Sequence, residues 1–269
     1  MPLEGEIFYQ IDHRLLALAM AGVLLAACEI GYRLGLSRAG APDSLRTLMN
    51  GLGGAMLGIL GLLLGFALSM AIARWDTRGD VINDEANAIG TLSLRAGLLE
   101  KPLREELREA LLSYTDARLV LGRVRDDPDA LRMVQRDSER AHVVMWSVVE
   151  SANRPSTSTA TLSSLINSAN AVIDLHELRL SSLENHLPSA LFYLLLSLSA
   201  GAVAFLAWSF GAASHRGRTP MILLAIFIGA VLLLIMDVNR PQRGIIKVGV
   251  VPLERVEKTV TLDESSWNE

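Results

Sequence analysis

The chain has 269 residues, of which 51% are hydrophobic and 20% are charged. This composition excludes an ordinary soluble protein and predicts an integral membrane protein. A net charge of −4 offers no basic footprint for nucleic acid, and the single cysteine, Cys28, excludes an intrachain disulfide and a cysteine-based metal site.

An acidic N-terminal tail, residues 1–14, precedes the first apolar segment at residues 15–36. Leu25–Cys28 matches a lipoprotein cleavage box, but a secretory signal starts with a basic region and ends near its cleavage site. We therefore expect residues 15–36 to form the first transmembrane helix. Glu29 lies within it. A helix-end residue that extends towards the interface or pairs with Arg33 one helical turn later is favoured over a place on a permeation path.

The second apolar segment is the longest element that the sequence predicts. Residues 51–73 carry no charged side chain, enough to cross a hydrocarbon core of about 30 Å at about 1.5 Å per residue. Because no proline interrupts residues 47–100, we predict a transmembrane helix over 47–73 that continues to about residue 100, with Gly79 as a candidate hinge. Arg74 and Trp75 are typical of the membrane–water interface.

Glycines follow one face of this helix at spacings of three and four. The stripe contains Gly51, Gly54, Gly58, Gly61 and Gly65. Such a stripe lets helix backbones approach closely, which drives packing where lipid supplies no hydrophobic effect. Two partners fit it: other spans of the same chain, or copies of the same helix around an axis.

A polar helical domain follows over residues 74–187, with no convincing strand pattern. Pro102 opens one helix, a second covers about 129–151, and a third follows the turn signals at 153–158. Their predicted buried stripes are Leu103, Leu107, Leu111, Tyr114, the stem of Arg118 and Leu121; Leu131, Val134, Ala141, Met145 and Val148; and Leu162, Ile166, Ala169, Ile173, His176 and Leu180.

Two further apolar segments follow, at residues 189–210 and 220–236, and a charged C-terminal tail covers 237–269. The expected fold is all-α, with four transmembrane helices and an extramembrane helical domain inserted between spans two and three. The five histidines show no metal-ligand spacing, and no dinucleotide, Walker or nucleophile-elbow motif occurs. We therefore predict a protein that is not an enzyme and uses no metal or cofactor.

The run Leu64–Ser69, followed by Ala73-Arg74-Trp75, resembles the second transmembrane helix of the bestrophin anion channels. Three other stretches, Glu85–Arg95, Leu111–Arg118 and Asp237–Gly244, resemble a bacterial bestrophin-like family of four-helix membrane proteins. The motif positions singled out are Glu85, Asn87, Arg95, Asp237, Arg240, Pro241 and Gly244.

The resemblance implies a homo-oligomer, a pentamer in that family, that conducts chloride or other small anions through a pore lined by the second helix. The narrow hydrophobic neck of bestrophins falls on Gly58, Leu62 and Phe66. Only Phe66 matches in type; the other two replace bulkier side chains, which leaves the width of the neck open. No acidic run follows Met236, so calcium gating is not implied. The alternative is a non-conducting membrane scaffold or sensor whose helical domain binds a partner.

The orientation in the membrane is contested by two sets of charges. The short loops carry Arg38, Arg46, Arg216 and Arg218, which by the positive-inside rule places them in the cytoplasm. The opposite flanks carry Arg74, Arg78, Arg240, Arg243 and Lys247. The resemblance also implies a cytoplasmic domain, so we expect a multi-pass protein of a bacterial plasma (inner) membrane with its helical domain in the cytoplasm.

Overall fold

The computed structural model describes residues 12–38, 42–124, 127–213, 218–240 and 246–262. Within these residues the chain is all-α, without a strand. The helices are α1 (His13–Leu36), α2 (Asp43–Ala96), α3 (Lys101–Arg123), α4 (Pro128–Ser151), α5 (Thr159–Glu184), α6 (Ser189–Ala212), α7 (Arg218–Val238) and α8 (Val251–Leu262). The helix α2 continues through Gly79 without a break.

Among the described residues, four stretches are long and apolar enough to cross a membrane by length and composition. They are Arg14–Leu36, Thr47–Ala96, Thr159–Ala212, which contains α5 and α6, and Arg218–Val238. The predicted fold, all-α with four spans and an extramembrane helical domain between the second and third, is confirmed.

The chain folds into two compact units. The first, here called the membrane unit, includes the described residues up to Arg74 and those from His186 to Ile246. The second, the extramembrane unit, covers Trp75–Asn185 and resumes at Lys247. The apolar part of α2 therefore belongs to the membrane unit, and its polar part to the extramembrane unit.

In the membrane unit, α1 and α6 touch backbone to backbone through glycines. A Cβ on Gly35 would lie 2.9 Å from the backbone nitrogen of Ala212, and one on Gly31 would lie 2.8 Å from the carbonyl carbon of Ala204. Gly31 and Gly35 are four residues apart, which is the small-residue spacing that allows close helix approach in membranes. The glycine pattern of the sequence predicts such packing on α2, and the pair on α1 is not predicted from it.

Glu29 of α1 is paired within the membrane unit. Its Oε1 accepts a hydrogen bond from Nε of Arg33 at 2.6 Å, and Nη2 of Arg218 on α7 lies 3.4 Å from the same oxygen. The favoured interpretation, a pair with Arg33 one turn later, is confirmed.

The core of the extramembrane unit joins the polar part of α2 with α3, α4, α5 and α8. Its largest members include Ile89, Leu92, Leu111, Met145 and Leu165, all inaccessible to solvent. The short helix α8, which sequence analysis left as tail, contributes Leu253, Val256 and Val260. A helix of 12 residues is marginal by its own propensity, so packing against this core is what stabilises it.

The predicted stripes of α3 and α4 are buried except for Leu103 and Leu131, which are half-buried, whereas that of α5 is wrong in larger part. Buried residues on α5 are Leu165, Ser168, Ala169, Val172, His176 and Arg179. Leu162, Ile166, Ile173 and Leu180 are only half-buried. Because the true inward face contains a serine and an arginine, the apolar pattern pointed to the neighbouring face.

Candidate pore-lining face and a buried charged cluster

The predicted neck residues lie on a face of α2 that the described residues leave uncovered. Leu62 is 58% exposed and Phe66 59% exposed, and a Cβ on Gly58 would meet no described atom within 4 Å apart from its adjacent residues and the nearby backbone of α2. The buried residues of this segment, Leu60, Leu64, Ala67 and Ala71, lie on the opposite side of the helix. One side of the membrane part of α2 therefore packs against the same chain, and the opposite side is left uncovered by the described residues.

The glycine stripe borders the same open face. Apart from adjacent residues and the nearby backbone of α2, no described atom lies within 4 Å of a Cβ placed on any glycine of the stripe, which includes Gly54, Gly61 and Gly65. Gly53, outside the stripe, behaves differently, because its Cβ would lie 2.7 Å from Cδ2 of Leu206. Of the two partners that sequence analysis left open, the described spans of the same chain do not cover the stripe.

The two residues predicted at the interface are both half-buried. Arg74 closes the first part of the membrane unit, and Trp75 opens the extramembrane unit. The indole Nε1 of Trp75 is buried and has no hydrogen-bond partner among the described residues. An interfacial role for both residues remains a prediction.

One carboxylate, that of Glu85, joins three helices inside the extramembrane unit. Its Oε1 accepts hydrogen bonds from the hydroxyl of Tyr114 at 2.6 Å and from Nε of Arg118 at 2.7 Å, both on α3. Its Oε2 accepts from Nη1 of Arg179 on α5 at 2.6 Å. Glu85, Tyr114 and Arg118 are 0% exposed and Arg179 4%, so this cluster is shielded from water.

The charges in this cluster do not cancel. Burial raises the pKa of Glu85, but the guanidinium groups of Arg118 and Arg179 outweigh it, so that the pKa is lowered and the carboxylate is ionised. Burial raises the pKa of Tyr114 well above its ordinary value, so its hydroxyl stays a hydrogen-bond donor. With one carboxylate against two guanidinium groups, the cluster carries one positive charge in excess.

Two imidazole rings, those of His142 and His176, lie next to Tyr114 of the cluster. The ring of His142 on α4 lies 4.9 Å from that of Tyr114 and 4.8 Å, edge to face, from that of His176 on α5. Burial and the nearby Arg118 lower the pKa of His142 to about 4 and that of His176 to about 3. Both rings are therefore neutral at pH 7. Arg118 Nη2, His142 Nε2 and both ring nitrogens of His176 are buried without a hydrogen-bond partner among the described residues.

This cluster is not predicted from the sequence, although Glu85 and Arg95 are both motif residues. The two do not pair: Nη1 of Arg95 donates to the carbonyl oxygen of Ser164 at 2.9 Å and to the hydroxyl of Ser168. Arg118 was interpreted as a stem on an apolar stripe. The sequence does contain one indication of the cluster. Arg118 occupies a position on an otherwise apolar face, and a charged group buried there requires a partner of opposite charge.

The other motif residues lie outside this cluster. Asn87 is exposed. After α7, Oδ2 of Asp237 accepts from the backbone nitrogen of Ile246 at 2.9 Å, and Oδ1 of Asn239 accepts from that of Leu187 at 3.1 Å. Arg240 is 2% exposed. These bonds hold the chain that leaves the last span, whereas the predicted Pro241 and Gly244 lie outside the described residues.

The fold and these sites define an all-α, multi-span membrane protein with an uncovered apolar face on its longest helix. A family model, that of the Bestrophin-like domain, matches residues 21–253, and the chain belongs to this family. The resemblance found in the sequence is therefore confirmed.

Solved structures with the same fold include three variants of a bacterial bestrophin homologue from Klebsiella pneumoniae. One has a TM-score of 0.66 at 13% identity, covering 90% of this chain and 99% of that one. A second has 0.64 at 12% identity, covering 88% and 97%, and a third has 0.63 at 14% identity, covering 97% and 100%. No curated protein matches this chain.

Proposed function

We propose that this protein is a homo-oligomeric channel for chloride or other small anions, with a pore lined by the apolar part of α2. Bestrophins are a family of channels rather than enzymes. The observation that carries the proposal is the open face of α2, where the glycine stripe runs beside Leu62 and Phe66. Lipid, or copies of the same helix, would cover such a face in a membrane, and glycines favour a close helix neighbour.

The proposed pore follows from that face. When copies of α2 surround an axis, their Phe66 side chains form one apolar ring, and their Leu62 side chains form another one helical turn away. An apolar constriction can gate a pore by dewetting, because ions lose hydration there without gaining polar partners. Five copies are the number that the family resemblance implies.

Replacing Phe66 by alanine widens the proposed ring and lowers the barrier. We expect Phe66→Ala to increase chloride flux into liposomes at unchanged oligomer size, and Leu62→Ala to do so more weakly. The matched control is Phe227→Ala on α7, which removes another exposed phenylalanine, 75% exposed, from a different span. Flux at background for both the parent and Phe66→Ala, in a verified oligomer, would contradict conduction and favour the scaffold whose helical unit binds a partner.

The glycine stripe is proposed as the surface on which copies meet. Gly61→Leu and Gly58→Leu force bulk onto that surface and should shift the detergent-solubilised protein towards monomer, as measured by light scattering after gel filtration. Gly201→Leu on α6 is the control, because its Cβ would also meet no described atom within 4 Å. Leu63→Ile, off the stripe, should be tolerated. An unaltered oligomer in both stripe variants would show that copies do not meet there.

The proposed orientation has the extramembrane unit in the cytoplasm of a bacterial inner-membrane protein. Asp76 is exposed and follows the interfacial pair directly. In a Cys28→Ser background, a cysteine introduced as Asp76→Cys should react with a membrane-impermeant thiol reagent in inverted vesicles and stay unlabelled in intact cells. Labelling of intact cells would instead place this unit outside, as the loop charges suggest.

A further inference from the structure

We propose that the buried charged cluster of the extramembrane unit binds one small monovalent anion of the halide class, held by Nη2 of Arg118 and an imidazole N–H of His176. This site is separate from the proposed pore and does not depend on conduction.

The first observation is an unused donor of Arg118. The side chain is 0% exposed, and its Nε is engaged with Glu85 at 2.7 Å, while Nη2 has no partner among the described residues. Guanidinium nitrogens can only donate hydrogen bonds, and buried polar atoms are rarely left without a partner. The missing partner of Nη2 must therefore be an acceptor.

The second observation is the excess positive charge. Glu85 neutralises one of the two guanidinium groups that bind it, and the other remains uncompensated in a shielded place. The carboxylate of Glu177 lies 4.0 Å from Nε2 of His176, but its side chain is 77% exposed and so does not balance the charge inside the cluster. Burying a charge without a counter-charge is costly. A water molecule would accept the hydrogen bond from Nη2 but would not neutralise the excess positive charge, whereas an anion would do both.

The third observation is the position of His176. The residue is 1% exposed, and neither ring nitrogen has a hydrogen-bond partner among the described residues. A neutral imidazole has one N–H donor and one acceptor nitrogen, so it can donate to the anion while a water serves the other nitrogen. The guanidinium carbon of Arg118 lies 5.7 Å from the centre of the Tyr114 ring, and His176 lies 6.1 Å from that same ring. These few donors suit a single-atom anion better than a phosphate.

The test compares thermal unfolding of the purified full-length protein in sodium bromide or chloride and in sodium gluconate, at equal ionic strength and pH 7.5. Binding to the folded state should raise the Tm in halide by about 3 °C. Arg118→Met should abolish this increment. Arg78→Met is the matched control, because Arg78 is also buried but donates to the carbonyl oxygens of Ser182 at 3.1 Å and Asn185 at 3.0 Å, and it should keep the increment.

Two further measurements keep the test decisive. If Arg118→Met does not fold, His176→Phe should still fold and show a reduced increment. Crystals grown in bromide should show an anomalous peak within hydrogen-bond distance of Arg118 Nη2. A halide increment that persists in Arg118→Met would overturn the proposal by placing halide binding elsewhere. Density beside Arg118 Nη2 without anomalous signal would overturn it by identifying a bound water. Flux assays on the same samples separate the two proposals. A protein that conducts no chloride but keeps the halide-dependent increase in Tm would contradict the proposed pore and still support this anion site.

Discussion

Replacing Glu85 by alanine should lower the free energy of unfolding of the extramembrane unit by about 3–5 kcal/mol, the usual cost of removing one partner from a buried ion pair. The change leaves Arg118 and Arg179 buried side by side without a counter-charge and removes the acceptor of the Tyr114 hydroxyl. The measurement is chemical denaturation followed by the loss of helical circular dichroism.

Glu100→Ala provides the control for that experiment. Glu100 pairs with Arg154 at 3.3 Å, but its side chain is 68% exposed, so its loss should cost less than about 1 kcal/mol. Glu85→Gln, which keeps the shape and loses the charge, should fall between the two. If Glu85→Ala unfolds at the same denaturant concentration as Glu100→Ala, the carboxylate does not hold the three helices together.

Acid should weaken the same unit between pH 6.5 and pH 4, because both histidines must enter the folded state neutral. Burial lowers the pKa of His176 from 6.5 to about 3 and that of His142 from 6.5 to about 4. Between these values and 6.5 the unfolded chain binds more protons, so stability is complete above pH 6.5 and declines as the pH falls. For His176 alone the loss from pH 7.5 to pH 5 is about 2 kcal/mol.

The variant that checks this effect is His176→Phe, which keeps an aromatic ring and removes the titrating group. Its free energy of unfolding should change less between pH 7.5 and pH 5 than that of the parent, and His142→Phe/His176→Phe should change least. The pKa of Glu85 is lowered from 4.5, so its carboxylate stays ionised in this range and does not mask the effect. A parent and a double variant with equal pH dependence would show that the imidazoles are not the groups that titrate.

The transmembrane spans and the inward face of α5 differ in how well the sequence predicts them, because different kinds of residue form them. The spans could be predicted because a run such as residues 51–73 carries its own evidence: an uncharged helix of that length has its backbone groups satisfied internally and needs lipid around it. The face of α5 could not be predicted in full, because Ser168 and Arg179 point inward and find their partners on other helices.

The all-α class, the four spans, the uncharged face of α2 with its glycines and, through its motifs, the Bestrophin-like family can all be predicted from the amino-acid sequence. These features depend on spacing along one chain segment, where helical periodicity decides which residues share a face. The folded arrangement was needed to find that Glu85 contacts Arg118 and Arg179, residues 33 and 94 positions away, and that Gly31 and Gly35 bring α1 against α6. Such pairings depend on how whole helices pack. The sequence around one residue fits several distant partners of suitable charge or size, so it does not identify the partner.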